Sequence, residues 1–523
     1  MGDTDTDRDV AEPSATAAEK VIVHAAYPIW RKHTLVAMAR ARQLQDAGHD
    51  VTLTYCDAVM GTCTANFAGN PIVCAICRHR SQKTAAALNL RTQPLGLADH
   101  PYRPLQIPSC ADPDSESRSI TGAERVHLLE GVRSALVSTF RTLPGDIHRS
   151  RIISLIQRRF FRTSIRMLSS MKALIERQRP DRVEVFNGRQ ACSRFCITAA
   201  RSMGIPFSTL EVCARQHPMV FAGHTAHDRV EMQKRMLRNP ANMDLAENYF
   251  ARRRQPRSNK FAKKHALDFV PPAAQGFQRR VAVFLSSQDE FESLGRDWKS
   301  PFPDYAAVVQ EMCEQHPETF FSIRFHPNQA DISSDIRTPF HSVEQQPNAE
   351  VYYPETSANT YALIEWADTV VTFGSTVTIE ACWMGRPAIM LGPSFYDALD
   401  IAYTPGSMEE THQLLRSKLS PKDRTNCARW ATFVETDWDD LPRLHHNGRT
   451  FVSDGFDAAL PAAARLAKLS DNLFYRIVKW GTGLAAGWRR GRESGAIRPV
   501  ENSRQSMSAE TEAAGASGDR HAA

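Results

Sequence analysis

The chain has 523 residues, of which 42% are hydrophobic and 23% are charged. These values are typical of a globular protein, and the length predicts two domains with tails rather than one hydrophobic core. The 64 basic and 58 acidic residues give a net charge of +6, and an excess this small and dispersed argues against nucleic acid as a partner. No stretch approaches the roughly 18 consecutive apolar residues that a membrane-spanning helix needs.

The first segment of the chain predicts a disordered tail. Residues 1–19 are acidic and rich in alanine and threonine, and they lack the basic and apolar regions of a signal peptide. We therefore expect a cytoplasmic protein whose cysteines are mostly reduced thiols or metal ligands.

An α/β pattern follows the tail. A strand at 20–24, a helix at 34–47 and a second strand at 50–55 form a βαβ unit, which predicts a parallel sheet. Ligands of such sheets bind at the carboxyl ends of strands. His24 and His33 lie in the turn after the first strand, so they are candidate site residues.

Four cysteines come next, at Cys56, Cys63, Cys74 and Cys77. Four thiolates can form a tetrahedral structural zinc site, and the two-residue gap between the last two suits such a site. The longer gap between the first two fits poorly, so a redox pair or buried cysteines remain alternatives.

The region 123–178 is mostly helical and basic. A solvated helix face explains this pattern, and contact with an anionic membrane surface is the alternative. Strands at 180–186 and 207–211 follow, with a helix at 191–203 between them. Asn187, Arg189 and Glu211 lie at the ends of these strands, where we expect the rim of a site.

A basic linker at 251–275 separates this half from a second α/β pattern. The strand at 279–285 ends in Ser286 and Ser287, and the strand at 320–325 carries Arg324 and runs into His326 and a proline. An imidazole at a strand end can bind a nucleotide base, ribose or phosphate.

The segment 369–392 reads as strand, turn, helix and strand, with the turn at Gly374, Ser375 and Thr376. Unpaired N–H groups at a helix N-terminus can hold a phosphate. Glu380 lies four residues after Thr376 and so shares its helix face, from which its carboxylate can accept ribose hydroxyls. The alternative is that Ser375 only caps the helix and Glu380 is solvated.

The end of the chain predicts an amphipathic helix at 466–493 and a disordered tail at 494–523. The helix either packs across the domains or lies on a membrane surface.

The second half resembles bacterial capsule polysaccharide biosynthesis proteins and related surface-polysaccharide glycosyltransferases. The residues that carry the resemblance are the segments 284–291, 323–328, 360–361, 373–381 and 385–387. The His-Pro and Ser-Thr motifs are also similar to those of bacterial sialyltransferases and Kdo transferases. The first half matches more loosely, through residues 48–49 and 187–189 and Glu211.

This resemblance implies a GT-B-like α/β fold in which two Rossmann-like domains, at 20–250 and 276–465, face a cleft. It implies metal-independent transfer of a sugar from a CMP- or UDP-linked donor to a surface polysaccharide or lipid-linked acceptor. The basic region 123–178 and the helix at 466–493 leave peripheral contact with the inner face of the cytoplasmic membrane as the alternative to a purely cytoplasmic location. The donor nucleotide would bind Arg324, His326, Gly374, Ser375, Thr376 and Glu380.

The general base would come from the first domain, with His24, His33 and Glu211 as candidates. No cofactor would be needed for catalysis. A nucleotide-sugar epimerase, a CDP-glycerol-type phosphotransferase and a non-catalytic subunit of an export assembly remain alternatives on the same fold.

Overall fold

The computed structural model describes residues 17–26, 31–58, 60–96, 120–213, 217–255, 269–332, 334–356, 358–441, 444–446 and 451–453. The predictions for the C-terminal helix at 466–493 and the tail at 494–523 lie outside these residues, as do most of the predicted N-terminal tail and residues 256–268 of the predicted linker.

The first unit is built on a five-stranded sheet of order β2-β1-β3-β4-β5. The first four strands are parallel, and β5 is antiparallel to β4. The strands are β1 (Lys20–His24), β2 (Asp50–Thr54), β3 (Arg182–Phe186), β4 (Phe207–Val212) and β5 (Pro218–Ala222).

The described residues form six α-helices around this sheet: α1 (Arg31–Asp46), α2 (Pro71–Ala87), α3 (Gly122–Phe140), α4 (Pro144–Ile147), α5 (Arg151–Gln178) and α6 (Ala191–Ser202). The predicted helical region 123–178 is thus divided into three. Thr121 and Glu124 form a capping box at the start of α3, and the Ser150 hydroxyl accepts a hydrogen bond from the first turn of α5.

The second unit contains another five-stranded sheet, of order β10-β9-β6-β7-β8, and its strands are parallel. The strands are β6 (Arg279–Phe284), β7 (Thr319–Arg324), β8 (Ala349–Tyr352), β9 (Thr369–Thr372) and β10 (Ala388–Met390). Two five-stranded sheets, the first mostly parallel and the second parallel, are accompanied by helices and confirm the predicted α/β fold with two Rossmann-like units.

In the part of the chain that the structure describes, nine further α-helices accompany the second sheet: α7 (Arg229–Arg238), α8 (Met243–Arg254), α9 (Gln288–Glu292), α10 (Tyr305–Gln315), α11 (His341–Glu344), α12 (Thr360–Trp366), α13 (Val377–Trp383), α14 (Met408–Arg416) and α15 (Thr425–Thr436). A short hairpin, β11 (Leu444–His446) and β12 (Phe451–Ser453), follows them. Within the described residues no helix is both long enough and apolar enough to cross a membrane.

The two units do not separate at the predicted linker. Met236 of α7 and Phe250 of α8 precede it in sequence, yet both lie in one hydrophobic cluster with Phe284 of β6 and Ile379 of α13. Helix α8 also continues to Arg254, into the predicted linker range 251–275. The apolar stripe of α8 explains the difference, because burying that stripe stabilises a helix where charge alone suggested an exposed coil.

Candidate functional site

The winding of each sheet reverses next to its first strand. In the second sheet the chain passes from β6 to β7 and β8, then returns to the other side of β6 with β9. Loops that follow the two strands at such a reversal diverge and leave a crevice, which is where open α/β sheets bind ligands. The crevice of the second unit lies between the loops after Phe284 and Thr372.

The turn after β9 has a backbone that only glycine fits. Gly374 has a φ of +85°, and a Cβ atom there would lie 2.4 Å from the Pro393 carbonyl oxygen and 3.1 Å from the Phe291 ring. The Tyr396 hydroxyl donates a 2.9 Å hydrogen bond to the Gly374 carbonyl oxygen. The loops after β6 and β10 therefore pack against this turn and hold it in place.

Ser375 and Thr376 follow in the turn, before the seven-residue helix α13. The Ser375 hydroxyl accepts a 3.3 Å hydrogen bond from the Val377 N–H, as the capping interpretation expects. The Ser375 carbonyl oxygen accepts a 2.8 Å bond from the hydroxyl of Thr378, which is also 2.6 Å from that of Thr372. The Thr376 side chain is exposed, so it is accessible to a ligand.

The turn after β6 supplies two buried hydroxyls to the same crevice. Ser287 donates a 2.7 Å hydrogen bond to Asp289 and accepts one of 3.2 Å from Arg141. Ser286 is 3% exposed, and its hydroxyl has no hydrogen-bond partner among the described residues. A buried hydroxyl without a partner is unusual in a folded protein, which makes Ser286 a candidate ligand contact.

Arg324 and His326 stand at the carboxyl end of β7, next to β6. Arg324 is buried and donates a 2.5 Å hydrogen bond to the Thr360 hydroxyl. Burial lowers the pKa of Arg324 to about 10, partly offset by Glu380, so the guanidinium stays charged at neutral pH. The His326 Nδ1 accepts a 3.1 Å bond from the Asn328 N–H, which places the proton of the neutral ring on Nε2.

Glu380 is not a solvated residue, so that alternative is wrong. It is 6% exposed, and its Oε1 accepts bonds of 2.9 and 2.7 Å from the Arg253 guanidinium and one of 3.3 Å from the Tyr361 hydroxyl. All of its hydrogen bonds to described residues end on Oε1, so Oε2 remains for a ligand. Burial raises the pKa of Tyr361, and the nearby Glu380 carboxylate raises it further by a smaller amount.

His24 and His33 flank the reversal in the first sheet, between β1 and β3. His24 is 1% exposed, lies 2.8 Å from the Thr54 hydroxyl, and packs edge-on against Phe195. Burial lowers its pKa from 6.5 to about 3, which makes it a poor general base. His33 packs edge-on against Phe186 at the end of β3.

The structure brings the predicted rim residues Asn187 and Glu211 together. The Asn187 amide donates a 2.6 Å hydrogen bond to Glu211 Oε2, and the Val212 N–H donates one of 3.0 Å to Oε1. Arg189 instead reaches the second unit, where it donates a 2.5 Å hydrogen bond to the Ser293 hydroxyl. It thereby joins the two units beside the crevice.

The four predicted zinc ligands line one cavity of the first unit, together with Cys192. Within the described part of the chain, no three histidine, cysteine, aspartate or glutamate side chains are arranged to hold one metal ion. The zinc site that the sequence suggests at these cysteines stays a prediction.

Sequence reasoning missed two arginines of the site. Arg253 lies in the basic run interpreted as a linker, although Ala246, Phe250 and Arg253 fall on one helix stripe. Arg141 follows α3 in a left-handed conformation, contacts Asp289 at 3.0 Å, and donates a 2.8 Å hydrogen bond to the Asn328 carbonyl oxygen. No local pattern indicates this role, because its partners are more than 140 residues away in sequence.

Comparisons with known proteins agree with the resemblance in the second unit. Residues 246–426 match the family described as capsule polysaccharide biosynthesis protein. The match begins within α8, includes Arg253, and contains every donor-site residue predicted from the sequence.

Similar proteins were found in two further comparisons. Protein FixF of Sinorhizobium fredii is 32% identical over 125 residues, which are 24% of this chain and 29% of FixF. A β-Kdo 2,4-transferase structure of Thermosulfurimonas dismutans KpsC is 14% identical, covering 48% of this chain and 79% of that one with a TM-score of 0.33. A Neisseria meningitidis UDP-GlcNAc 2-epimerase is 12% identical, covering 79% of this chain and 97% of that one, with a TM-score of 0.29.

Proposed function

We propose that this protein is a glycosyltransferase of surface-polysaccharide synthesis that binds a nucleotide-sugar donor in the crevice between β6 and β9. The proposal rests on the hydrogen bonds of the Glu380 carboxylate. Arg253 and Tyr361 fix this buried carboxylate through Oε1 and leave Oε2 facing no described donor. A carboxylate held in this way can accept a ribose hydroxyl without first losing its own partners.

The surrounding groups suit the phosphates of a nucleotide. Sugar transfer breaks the bond between the anomeric carbon and a phosphate oxygen, and the nucleotide leaves with the electron pair. Fixed cationic and N–H donors stabilise that developing charge. Arg324 and His326 lie on β7 and the loop after it, next to the crevice, and the Gly374–Thr376 turn presents backbone and hydroxyl groups from the other side. We propose that they stabilise the leaving group and that no metal ion is required.

The acceptor is activated from the first unit in this proposal. Its hydroxyl attacks the anomeric carbon while a base takes the hydroxyl proton. Glu211, oriented by Asn187 at 2.6 Å, and His33, packed on Phe186, are the candidates for that base. The buried His24 is the weakest of the three.

A groove between the units offers a place for the acceptor. It has a volume of about 340 Å³ and is lined by α3 residues, by Arg189 and Arg194, and by residues 292–296 of the second unit. Val126 and Leu129 line it and are 46% and 37% exposed, and Ile152 and Leu155 of α5 are also exposed. Apolar side chains beside the exposed Arg158 and Arg159 suit a lipid-linked acceptor at an anionic membrane.

Donor binding tests the proposal directly. Thermal shift and nucleotide release are measured with CMP-, UDP- and GDP-sugars, with and without a lipid-linked acceptor. We expect one nucleotide class to stabilise the wild type, and His326→Ala and Glu380→Gln to lose both stabilisation and sugar transfer. His341→Ala is the matched control, because His341 is an exposed histidine of the same unit. Unchanged turnover in both site variants contradicts the assignment, and a change in the sugar without its transfer indicates an epimerase.

The membrane contact has its own test. We expect the protein to sediment with vesicles that contain anionic lipid and to lose that binding on Leu155→Ser. Val230→Ser is the control, because Val230 is 55% exposed but lies on α7. Equal sedimentation of both variants with the wild type would contradict a membrane role for α5.

A further inference from the structure

Five cysteines surround one cavity at the carboxyl edge of the first sheet. Cys56 follows β2, Cys63 lies in the next loop, Cys74 and Cys77 lie on α2, and Cys192 lies in the first turn of α6. The rest of the cavity lining is mainly alanine, glycine and methionine, with His24 and Asn66 as its other polar residues. Side chains from four separate parts of the chain thus direct soft sulfur ligands toward one largely apolar space.

The loop that carries Cys56 and Cys63 has little regular structure. The described residues between β2 and α2, which are all but residue 59, form turns and single β-bridges, and one of these bridges joins Cys63 to Asn66. A loop of this length inside a compact unit needs a tether or a function. None of the ten described cysteines forms a disulfide, so disulfide bonds do not supply that tether.

The arrangement suits a cluster better than a single ion. Four thiolates around one zinc ion each lie about 2.3 Å from a common point. Within the described residues no three potential ligands converge in that way, whereas the cysteines enclose a space instead. An iron–sulfur cluster has this requirement, because each of its iron atoms is bound by a different thiolate and inorganic sulfide fills the centre.

Hydrogen bonds to sulfur are already in place around the cavity. The Asn66 amide donates a 3.2 Å hydrogen bond to Cys74 Sγ, and the same amide group donates a 2.8 Å bond to the Asn70 carbonyl oxygen. The Thr64 hydroxyl lies 3.0 Å from Cys192 Sγ. Such donors orient cysteine ligands and tune iron–sulfur clusters.

We propose that Cys56, Cys63, Cys74 and Cys77 bind a 4Fe–4S cluster. Cys192 forms the wall behind it, because this buried residue is already engaged by Thr64. The cluster fixes the loop between β2 and α2 to the carboxyl edge of the first sheet. This assignment is independent of the proposed sugar transfer, since it rests on a different unit and on different residues.

Anaerobic purification of the full chain tests the assignment. We expect about four iron and four sulfide per chain, a brown protein with broad visible absorption, and a paramagnetic resonance signal after reduction. Cys74→Ser and Cys77→Ser should each lower iron and sulfide at least fivefold. Chemical reconstitution with iron and sulfide should restore the absorption in the wild type but not in these variants.

Two controls keep the test decisive. Cys313→Ser changes a buried cysteine of the second unit, and it should retain the wild-type iron content, as should Cys192→Ser. Circular dichroism establishes that each variant is folded. About one zinc per chain with no sulfide would overturn the proposal in favour of a mononuclear site, and the absence of both metals after reconstitution would overturn any metal site here.

Discussion

The carboxyl edges of the two parallel sheets have the same topology but bury different chemistry. At the first edge lie a neutral histidine, His24, and a group of thiols around an apolar cavity. At the second edge lie the ion pair of Glu380 with Arg253, the charged Arg324 and the unpartnered hydroxyl of Ser286. The first edge suits a soft metal cluster, and the second suits an anionic, hydroxyl-rich ligand.

This contrast shows that position at a strand end identifies a site but not its chemistry. Both His24 and Arg324 are the last residues of parallel strands: His24 ends β1, at the reversal of the first sheet, and Arg324 ends β7, the neighbour of β6 in the second sheet. Burial in apolar surroundings holds His24 neutral, whereas Arg324 keeps its charge beside Glu380. The neighbours that the fold supplies therefore decide which edge can bind a nucleotide.

The largest expected effect comes from adding a side chain at Gly374, at the carboxyl edge of the second sheet. Gly374→Ala places a methyl group 2.4 Å from the Pro393 carbonyl oxygen at a φ of +85°. We expect it to lower the free energy of unfolding by about 2–4 kcal/mol and to abolish nucleotide binding. Urea unfolding and thermal shift with nucleotide measure the two effects.

Gly385→Ala is its control, because Gly385 also has a positive φ, +71°, but no atom lies within 4 Å of its Cβ position. It should cost only about 1–2 kcal/mol. Equal losses in both variants would mean that the close approach at Gly374 is unimportant.

The next effect comes from breaking the ion pair at the second edge. Arg253→Met leaves the buried Glu380 carboxylate without its main partner, which should cost about 2–3 kcal/mol of unfolding free energy and weaken donor binding. Arg149→Met is the control. Its 2.9 Å pair with Asp146 lies at the surface of the first unit, so we expect a loss below about 0.5 kcal/mol. A similar stability for both variants would contradict a structural role for Arg253.

The free energy of unfolding should depend on pH through His24, at the carboxyl edge of the first sheet. The pKa of His24 is near 3 in the folded state and near 6.5 when unfolded, so the unfolded chain binds the proton first as pH falls. Its contribution to stability is complete above pH 6.5 and is lost progressively toward pH 3. Each pH unit in this window costs up to about 1.4 kcal/mol.

Replacing the imidazole tests this linkage. His24→Gln should flatten the dependence of unfolding free energy on pH between 6.5 and 5, although not fully, because burial also lowers the pKa of His127 to about 3. His79→Gln alters an exposed histidine and should leave the slope unchanged. An unchanged slope in His24→Gln would mean that His24 is not buried in solution.

The smallest effect on stability is expected from two adjacent serines at the second edge. Ser286→Ala removes a hydroxyl that has no hydrogen-bond partner among the described residues, so unfolding free energy should change by less than about 0.5 kcal/mol. Ser287→Ala removes bonds to Asp289 and Arg141 and should cost about 1 kcal/mol. Nucleotide affinity should fall roughly tenfold in Ser286→Ala, and titration calorimetry measures it. Wild-type affinity in Ser286→Ala would argue against a ligand contact there.

Short apolar strands and turn chemistry made much of the fold predictable. The strand Lys20–His24 was predicted with the bounds that the structure has, and the Gly374 turn lies where its sequence indicates. The antiparallel strand Pro218–Ala222 was missed, because a five-residue strand that begins with proline gives a weak local signal.

The candidate site was only half predictable for a related reason. Glu380 stands on a recognisable motif, but its partner Arg253 is 127 residues away in sequence. Local patterns carry no information about such pairings, and a run of arginines has the same composition in a linker as at the end of a packed helix. Glu380 is buried because α8 packs against α13, a contact between segments that are far apart in the sequence.

The crossing of the chain between the units limits how the protein can be divided. Helices α7 and α8 precede the basic segment but belong to the core of the second unit, and Leu441 returns from α15 to the core of the first. A fragment that starts at residue 276 would leave out Arg253 and expose the apolar surface around Phe284 and Ile379. A donor-binding fragment would therefore have to begin before Arg229, and the two halves should melt in one cooperative transition.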